Sequence, residues 1–265
     1  MTTIYEVVRE ICLGMPETEE SISHGFPNFK VAGKGFATYS LNHHGDEKVA
    51  LLLNMSRESQ QMLVDSAPNY FFVPPYVGPK GWVGVELNKD LSWDRVSKLT
   101  WEAYIRVAPA SLVYSVQPVM VKPPTEKMTL ENINPLKSKK NQGILNKLRE
   151  LCLNLPEVIE DKQFGHPAFK AGKKSFCTLS HREGKTRLQI WVGADRQAAL
   201  TSFDKRFEIP AYVGHNGWIN LDLTAKQNWQ EIEELLLISY EHFALKRMLK
   251  GLQDIIQIHN PGSGS

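Results

Sequence analysis

Cysteine is scarce: the 265 residues hold three. An odd number cannot pair completely, and Cys177 lies in an apolar, strand-like run. The reading is free, buried thiols in a reducing compartment, which excludes a disulfide framework. Nowhere do apolar residues continue for the ~18 positions that a membrane-spanning helix needs. The opening Met1-Thr2-Thr3-Ile4-Tyr5-Glu6 lacks the basic start and apolar stretch of a secretory signal. The expectation is a cytoplasmic protein with no membrane partner. An excess of charge of one sign is also missing, since 31 basic residues face 29 acidic ones. With 42% hydrophobic and 23% charged residues, the composition excludes a disordered tail, a collagen-like chain and a coiled-coil rod.

Catalytic signatures are absent too. Gly33-Lys34-Gly35 supplies only G-x-G, and Phe36, Ala37 and Thr38 follow, so the dinucleotide fingerprint fails. There is no phosphate-loop G-x-x-x-x-G-K-[ST], no H-E-x-x-H and no C-x-x-C. Gly262-Ser263-Gly264 has neither the strand before it nor the helix after it that a nucleophile elbow requires. The adjacent His43 and His44 sit in a polar turn and read as solvated side chains. No catalytic residue, metal or cofactor is assigned, and an enzyme is not expected.

What the sequence does contain is itself, twice. Ile11-Cys12-Leu13-Gly14-Met15-Pro16-Glu17 returns as Leu151-Cys152-Leu153-Asn154-Leu155-Pro156-Glu157, an offset of 140. The offset persists through His24-Gly25-Phe26-Pro27-Asn28-Phe29-Lys30 and Phe164-Gly165-His166-Pro167-Ala168-Phe169-Lys170, and on to Ser40 and Ser180. Tyr76-Val77-Gly78-Pro79-Lys80-Gly81-Trp82 then matches Tyr212-Val213-Gly214-His215-Asn216-Gly217-Trp218 at an offset of 136. Ordered similarity with a deletion in it is duplication of a whole domain, not a solenoid of ~20–50-residue units. The domains expected are 1–115 and 143–259. A Pro- and Lys-rich linker at 116–142 separates them, and a flexible tail follows at 260–265. His24 and His166 are not equivalent in the repeat, which disfavours shared catalysis.

Within each copy the periodicity predicts a helix over Ile4–Met15 (Ile144–Leu155), then strands at Phe36–Leu41 and Val49–Asn54 (Phe176–Ser180, Arg187–Val192). A second helix is predicted over Arg57–Ser66 (Ala194–Phe203). Strands at Tyr70–Val73 and Trp82–Leu87 (Phe207–Pro210, Trp218–Leu223) come next. A closing helix is capped by Ser92 or Asn228. In the second copy that last helix is read as running through Leu235, Leu236, Phe243 and Leu249. Helices flanking an antiparallel sheet define the α+β class.

These segments, HGFPNFKVAGKGFATYSL with PYVGPKGWVGVEL and FGHPAFKAGKKSFCTLS with AYVGHNGWINLDL, resemble the MmcQ/YjbR-like domain in both copies. The resemblance implies two tandem α-β(3)-α-β(2)-α domains, similar in topology to type III secretion chaperones. It also implies DNA binding, the label such proteins commonly carry, with paired hairpin loops as wings.

On the residues themselves, Tyr76 and Trp82, like Tyr212 and Trp218, read first as anchors of a glycine turn, with Gly78 and Gly81 supplying positive φ. The competing reading makes the loop a wing whose Lys80 or His215 reaches phosphate while an aromatic ring stacks on a base. Lys30 and Lys34, with Lys170, Lys173 and Lys174, form a potential basic rim beside it. Lys137, Lys139 and Lys140 add charge in the linker. Residues 1–115 carry a net −3, residues 116–142 carry +3 and residues 143–250 carry +3. Any DNA binding is therefore expected from the second copy and the linker. The alternative, from a different class, is a small aromatic ligand or a protein partner held in a groove between the two domains.

Overall fold

The computed structural model describes residues 1–114 and 116–259, with side chains through Ile255. Ser115 and the tail at 260–265 lie outside the described residues. Thr3 opens the first copy with a capping box: its hydroxyl accepts from the Glu6 amide, and the Glu6 carboxylate accepts from the Thr3 amide. The helix it starts, α1 (Ile4–Leu13), buries Ile4, Val7, Val8, Ile11 and Cys12, a stripe at helical spacing. Four strands follow: β1 (Thr18–Ser23), β2 (Phe26–Val31), β3 (Lys34–Leu41) and β4 (Val49–Asn54). Then come α2 (Arg57–Ser66), β5 (Phe71–Phe72), β6 (Trp82–Glu86) and α3 (Trp93–Val107), with the short α4 (Ala110–Val113) and α5 (Leu130–Ile133) behind them.

The second copy repeats the plan. It has α6 (Lys139–Leu153), β7 (Val158–Gln163), β8 (His166–Ala171), β9 (Lys174–Arg182) and β10 (Lys185–Trp191). After these come α7 (Ala194–Phe203), β11 (Phe207–Glu208), β12 (Trp218–Asp222), α8 (Trp229–Phe243) and α9 (Lys246–His259). The sheet orders are β1-β2-β3-β4-β6-β5 and β7-β8-β9-β10-β12-β11, one topology in two halves, and every neighbouring pair is antiparallel. The duplication extends to single hydrogen bonds. Tyr104, fully buried, donates to the Pro16 carbonyl at 2.8 Å, and Tyr240 donates to that of Pro156 at 2.9 Å. Each tyrosine ring meets a phenylalanine edge-on, Phe36 or Phe176.

The α+β class stands, with one strand more per copy than the α-β(3)-α-β(2)-α plan. The added strands are the edge strands β1 and β7, and their sequences explain why periodicity does not announce them. Thr18-Glu19-Glu20-Ser21, half-buried except for Glu19, and the exposed Glu160-Asp161-Lys162 are polar, as edge strands that resist mispairing usually are. Pairing with β2 and β8, not burial, makes them strands.

Residues 116–142 do not form a free linker. The chain divides at Ile133/Asn134, and each half has its own core. Val116 is buried in the first core, Ser97 Oγ donates to the Val119 carbonyl at 2.6 Å, and Trp101 Nε1 donates to that of Val116 at 3.1 Å. Ser97 and Trp101 thus hold an extended segment against its own domain. Leu136 belongs to the second core, and α6 starts at Lys139 with Ser138 as its cap, ahead of the expected residue 143. The last predicted helix is likewise two: α8 ends at Phe243, and Leu249 lies in α9.

Candidate functional site

The tyrosine-glycine loop that precedes β6 and β12 is the most sharply defined local structure in both copies. Residues Gly78–Lys80 and Gly214–Asn216 form single 3-10 turns, closed by Gly81 at φ +93° and Gly217 at φ +80°. A Cβ on Gly81 would stand 2.5 Å from the Met55 carbonyl oxygen, so only glycine fits there. From beneath, the side-chain amide of Gln60 on α2 donates to the carbonyls of Gly78, at 2.9 Å, and Trp82. Gln197 on α7 does the same to Gly214 and Trp218, both at 2.6 Å. Sequence reasoning missed this clamp. The available signal was a glutamine in each predicted second helix, 22 residues before Trp82 and 21 before Trp218.

Clamping both ends of the turn pushes the preceding tyrosines outward. Tyr76 is 70% and Tyr212 88% exposed, so neither anchors the loop in a core. Trp82 and Trp218 are half-buried at the first position of their strands. Lys80 and His215 are exposed at the loop tips.

Around Trp218 the structure gathers aromatic rings. Trp191, at the end of β10, stacks on the exposed His242 of α8, with centroids 3.5 Å apart and planes 13° apart. Phe243 stacks on Trp218 at 5.5 Å and meets Trp191 edge-on at 6.2 Å. Lys174 Nζ lies 5.9 Å from the Phe243 centroid, and Trp191 Nε1 donates to the Asn216 carbonyl at 2.8 Å. One predicted lysine and one predicted tryptophan are therefore joined through Phe243, whose role the sequence reading gave to the core. Burial first, and then the Lys174 charge, hold the His242 imidazole below its ordinary pKa. In the first copy, a Cβ on Gly35, next to the exposed Lys34, would meet the Trp82 ring at 3.7 Å.

The other predicted cations divide. Lys173 is exposed beside Lys174, and among the described residues neither stands in an ion pair. Lys170 is bound to Asp161, whose carboxyl it draws below the usual range, chiefly by hydrogen bonding. Lys140 donates to the Thr224 carbonyl. Lys139 is exposed in the first turn of α6, Lys137 is exposed in the turn before it, and Lys30 is half-buried on β2.

The sheet faces opposite the cores have diverged. In the first copy the register sets Phe72 beside Gly84, Gly84 beside Leu52 and Leu52 beside Thr38. A Cβ on Gly84 would overlap the Phe72 ring, and Leu52 and Ala50 are buried. The matched row in the second copy is Glu208, Asn220, Gln189 and Thr178. There Glu208 accepts from Lys185 at 2.7 Å and from Arg187 at 3.3 Å. Lys185, the stronger influence, keeps the Glu208 carboxyl below its ordinary pKa. Among the described residues, no group of three His, Cys, Asp or Glu side chains is placed to hold a metal ion. No helix is long and apolar enough to cross a membrane among them either.

Fold and loop together define a class: a duplicated α+β protein with a clamped aromatic-glycine turn on each sheet. The YjbR family model matches residues 13–105 and again 153–242, and the chain belongs to the YjbR family, with two copies of its domain. Among solved structures the chain is similar to the Deinococcus radiodurans protein DR2400, described as a DUF419 domain. The identity is 20% and the TM-score 0.35, over 43% of this chain and 85% of that one. No curated protein matches.

Proposed function

We propose that the protein is a non-enzymatic binding protein that takes up DNA as unpaired, single-stranded bases through its second unit. The carrying observation is the ring cluster of Trp191, His242, Phe243 and Trp218 with Lys174 at its edge. Aromatic faces stack on unstacked bases of any sequence, while adjacent cations take the phosphates.

Charge supports the choice of unit. Residues 1–133 carry 12 basic against 15 acidic side chains, and residues 134–265 carry 19 against 14, so −3 faces +5. Ion pairing supports the choice of strand state. Lys147, Arg149, Lys170, Lys185, Arg187, Arg206 and Arg247 are all bound to carboxylates. Duplex affinity comes largely from cations released to phosphate, and these seven are already engaged.

The test is retention of a fluorescein-labelled thymidine 20-mer over a salt series. The double change Lys173→Glu and Lys174→Glu should weaken binding at least tenfold. It should also lower the slope of log K against log salt by about 1.4, at ~0.7 per phosphate contact on a single strand. Changing Lys137, Lys139 and Lys140 to Gln should have the smaller effect. No retention at low salt, or an equal loss from Lys34→Glu in the first unit, overturns the reading.

A further inference from the structure

The first unit has a ring cluster of its own, built from three separate loops. Phe26 follows the turn between β1 and β2 and meets His43 edge-on at 5.2 Å. His43 and His44, in the loop between β3 and β4, lie 4.1 Å apart. Tyr76 closes the group at 5.4 Å from His44 and 6.3 Å from His43.

Two features mark this cluster as an elaboration and not a residue of the common fold. The first is length. The pair Ser40–Ala50 corresponds to Ser180–Arg187, so the first hairpin has three residues more than the second. The extra segment carries both histidines, and the second copy turns tightly at Glu183-Gly184 instead. The second is backbone cost. Asn42, His44, Glu47 and Tyr76 adopt positive φ without being glycine, whereas the positive φ of His24 is shared by its counterpart Phe164. Such conformations are unfavourable for most side chains and persist where surrounding structure holds them, commonly at binding sites. Tyr212, the counterpart of Tyr76, has no positive φ and no ring neighbour among the described residues.

We propose that His43, His44 and Tyr76 form a binding site for a planar heteroaromatic molecule that carries no negative charge. The exposed phenol of Tyr76 supplies a stacking face, Phe26 an apolar wall, and the imidazoles and phenol supply polar edges that read ring nitrogens or carbonyls. The exclusion of an anion follows from the surroundings. Lys48, the cation of the inserted loop, is bound to Glu86 at 2.9 Å. Burial, then His44 and His24, hold the His43 imidazole below its ordinary value, so it is uncharged near pH 7. An anionic ligand would find no free cation in the inserted loop, whose other charged side chains are the carboxylates of Asp46 and Glu47. This site is independent of the nucleic-acid reading, which concerns the second unit.

The experiment titrates the full chain with indole, adenosine and riboflavin while following the histidine ring resonances by NMR. At least one probe should shift His43 and His44 saturably. Tyr76→Gly removes the ring while suiting the positive φ, so the fold should persist, and affinity should fall at least tenfold. Tyr212→Gly should leave affinity unchanged. The proposal is overturned if none of the three probes shifts these imidazoles, if Tyr76→Gly binds as well as the parent, or if Tyr212→Gly weakens binding equally.

Discussion

Gln60→Leu isolates the clamp under the glycine loop. The side chain is buried, and its amide serves two carbonyls, those of Gly78 and Trp82. Leucine nearly matches the volume but offers neither carbonyl a donor. A buried acceptor left without a partner costs about 1–3 kcal/mol. Gly78 keeps a second donor, the Gly81 amide at 2.9 Å, so its share belongs at the low end. The extra apolar burial of leucine returns part of the loss. The net expectation is about 2 kcal/mol, or roughly 6–10 °C in melting temperature for a unit of this size. Gln197→Leu should cost less, because Gln197 is only half-buried and its clamp lies nearer the solvent. Calorimetry of the full chain gives the shift, and hydrogen exchange localises it. Amides of residues 76–82 should lose protection in the first variant and those of 212–218 in the second. A change below about 0.5 kcal/mol with protection intact would show that the turn is held by its glycines alone, and the clamp argument would fall.

Three further outcomes follow from the same structure. Tyr104→Phe and Tyr240→Phe each strip the hydroxyl donor from a proline carbonyl, and each should cost about 1 kcal/mol in urea unfolding. Burial is the leading cause that lowers the pKa values of His43, His181 and His242 in the folded chain. The unfolded chain therefore takes up protons first, so stability should be level above pH 6.5 and fall as pH drops through the folded values. Calorimetry at pH 7.5 and pH 5.5 should give the lower melting temperature at 5.5, and a rise would contradict the assignment. Cys12, Cys152 and Cys177 are all buried, and burial raises the thiols of Cys12 and Cys177. An aromatic disulfide reagent should label none of them in the native state and all three in denaturant.

The sequence exposed its architecture through repetition. The helix limits Arg57–Ser66 and Ala194–Phe203 and the strand Val49–Asn54 coincide with the structure. The Ser56 cap and buried Leu63 are local signals in the first helix, while the second, which has no side-chain cap and buries no residue, is legible only through its match to the first. What stayed hidden is held by partners distant in the chain. Glu19 and Glu160 lie in strands only because Lys30 and Phe169 pair with them across a hairpin. Val116 looks like a linker residue until the Trp101 indole reaches its carbonyl. For the sites, the aromatic-glycine loop was legible, but its most exposed rings are the tyrosines and not the tryptophans. Phe243 reads as an ordinary core position on a helical wheel. Only the tertiary fold shows it lying between Trp218 and Lys174. The histidine pair looked like a solvated turn for the same reason, since Phe26 and Tyr76 arrive from elsewhere in the chain.

Beneath these particulars is one statement: two copies of a domain kept their scaffold while their surfaces took different chemistry. Expressing residues 1–133 and 134–265 separately and measuring retention of the thymidine 20-mer tests it most directly. The second half should fold alone and bind as tightly as the intact chain, and the first should fold and not bind. Binding by the first half, or a second half that cannot fold without it, would contradict the account.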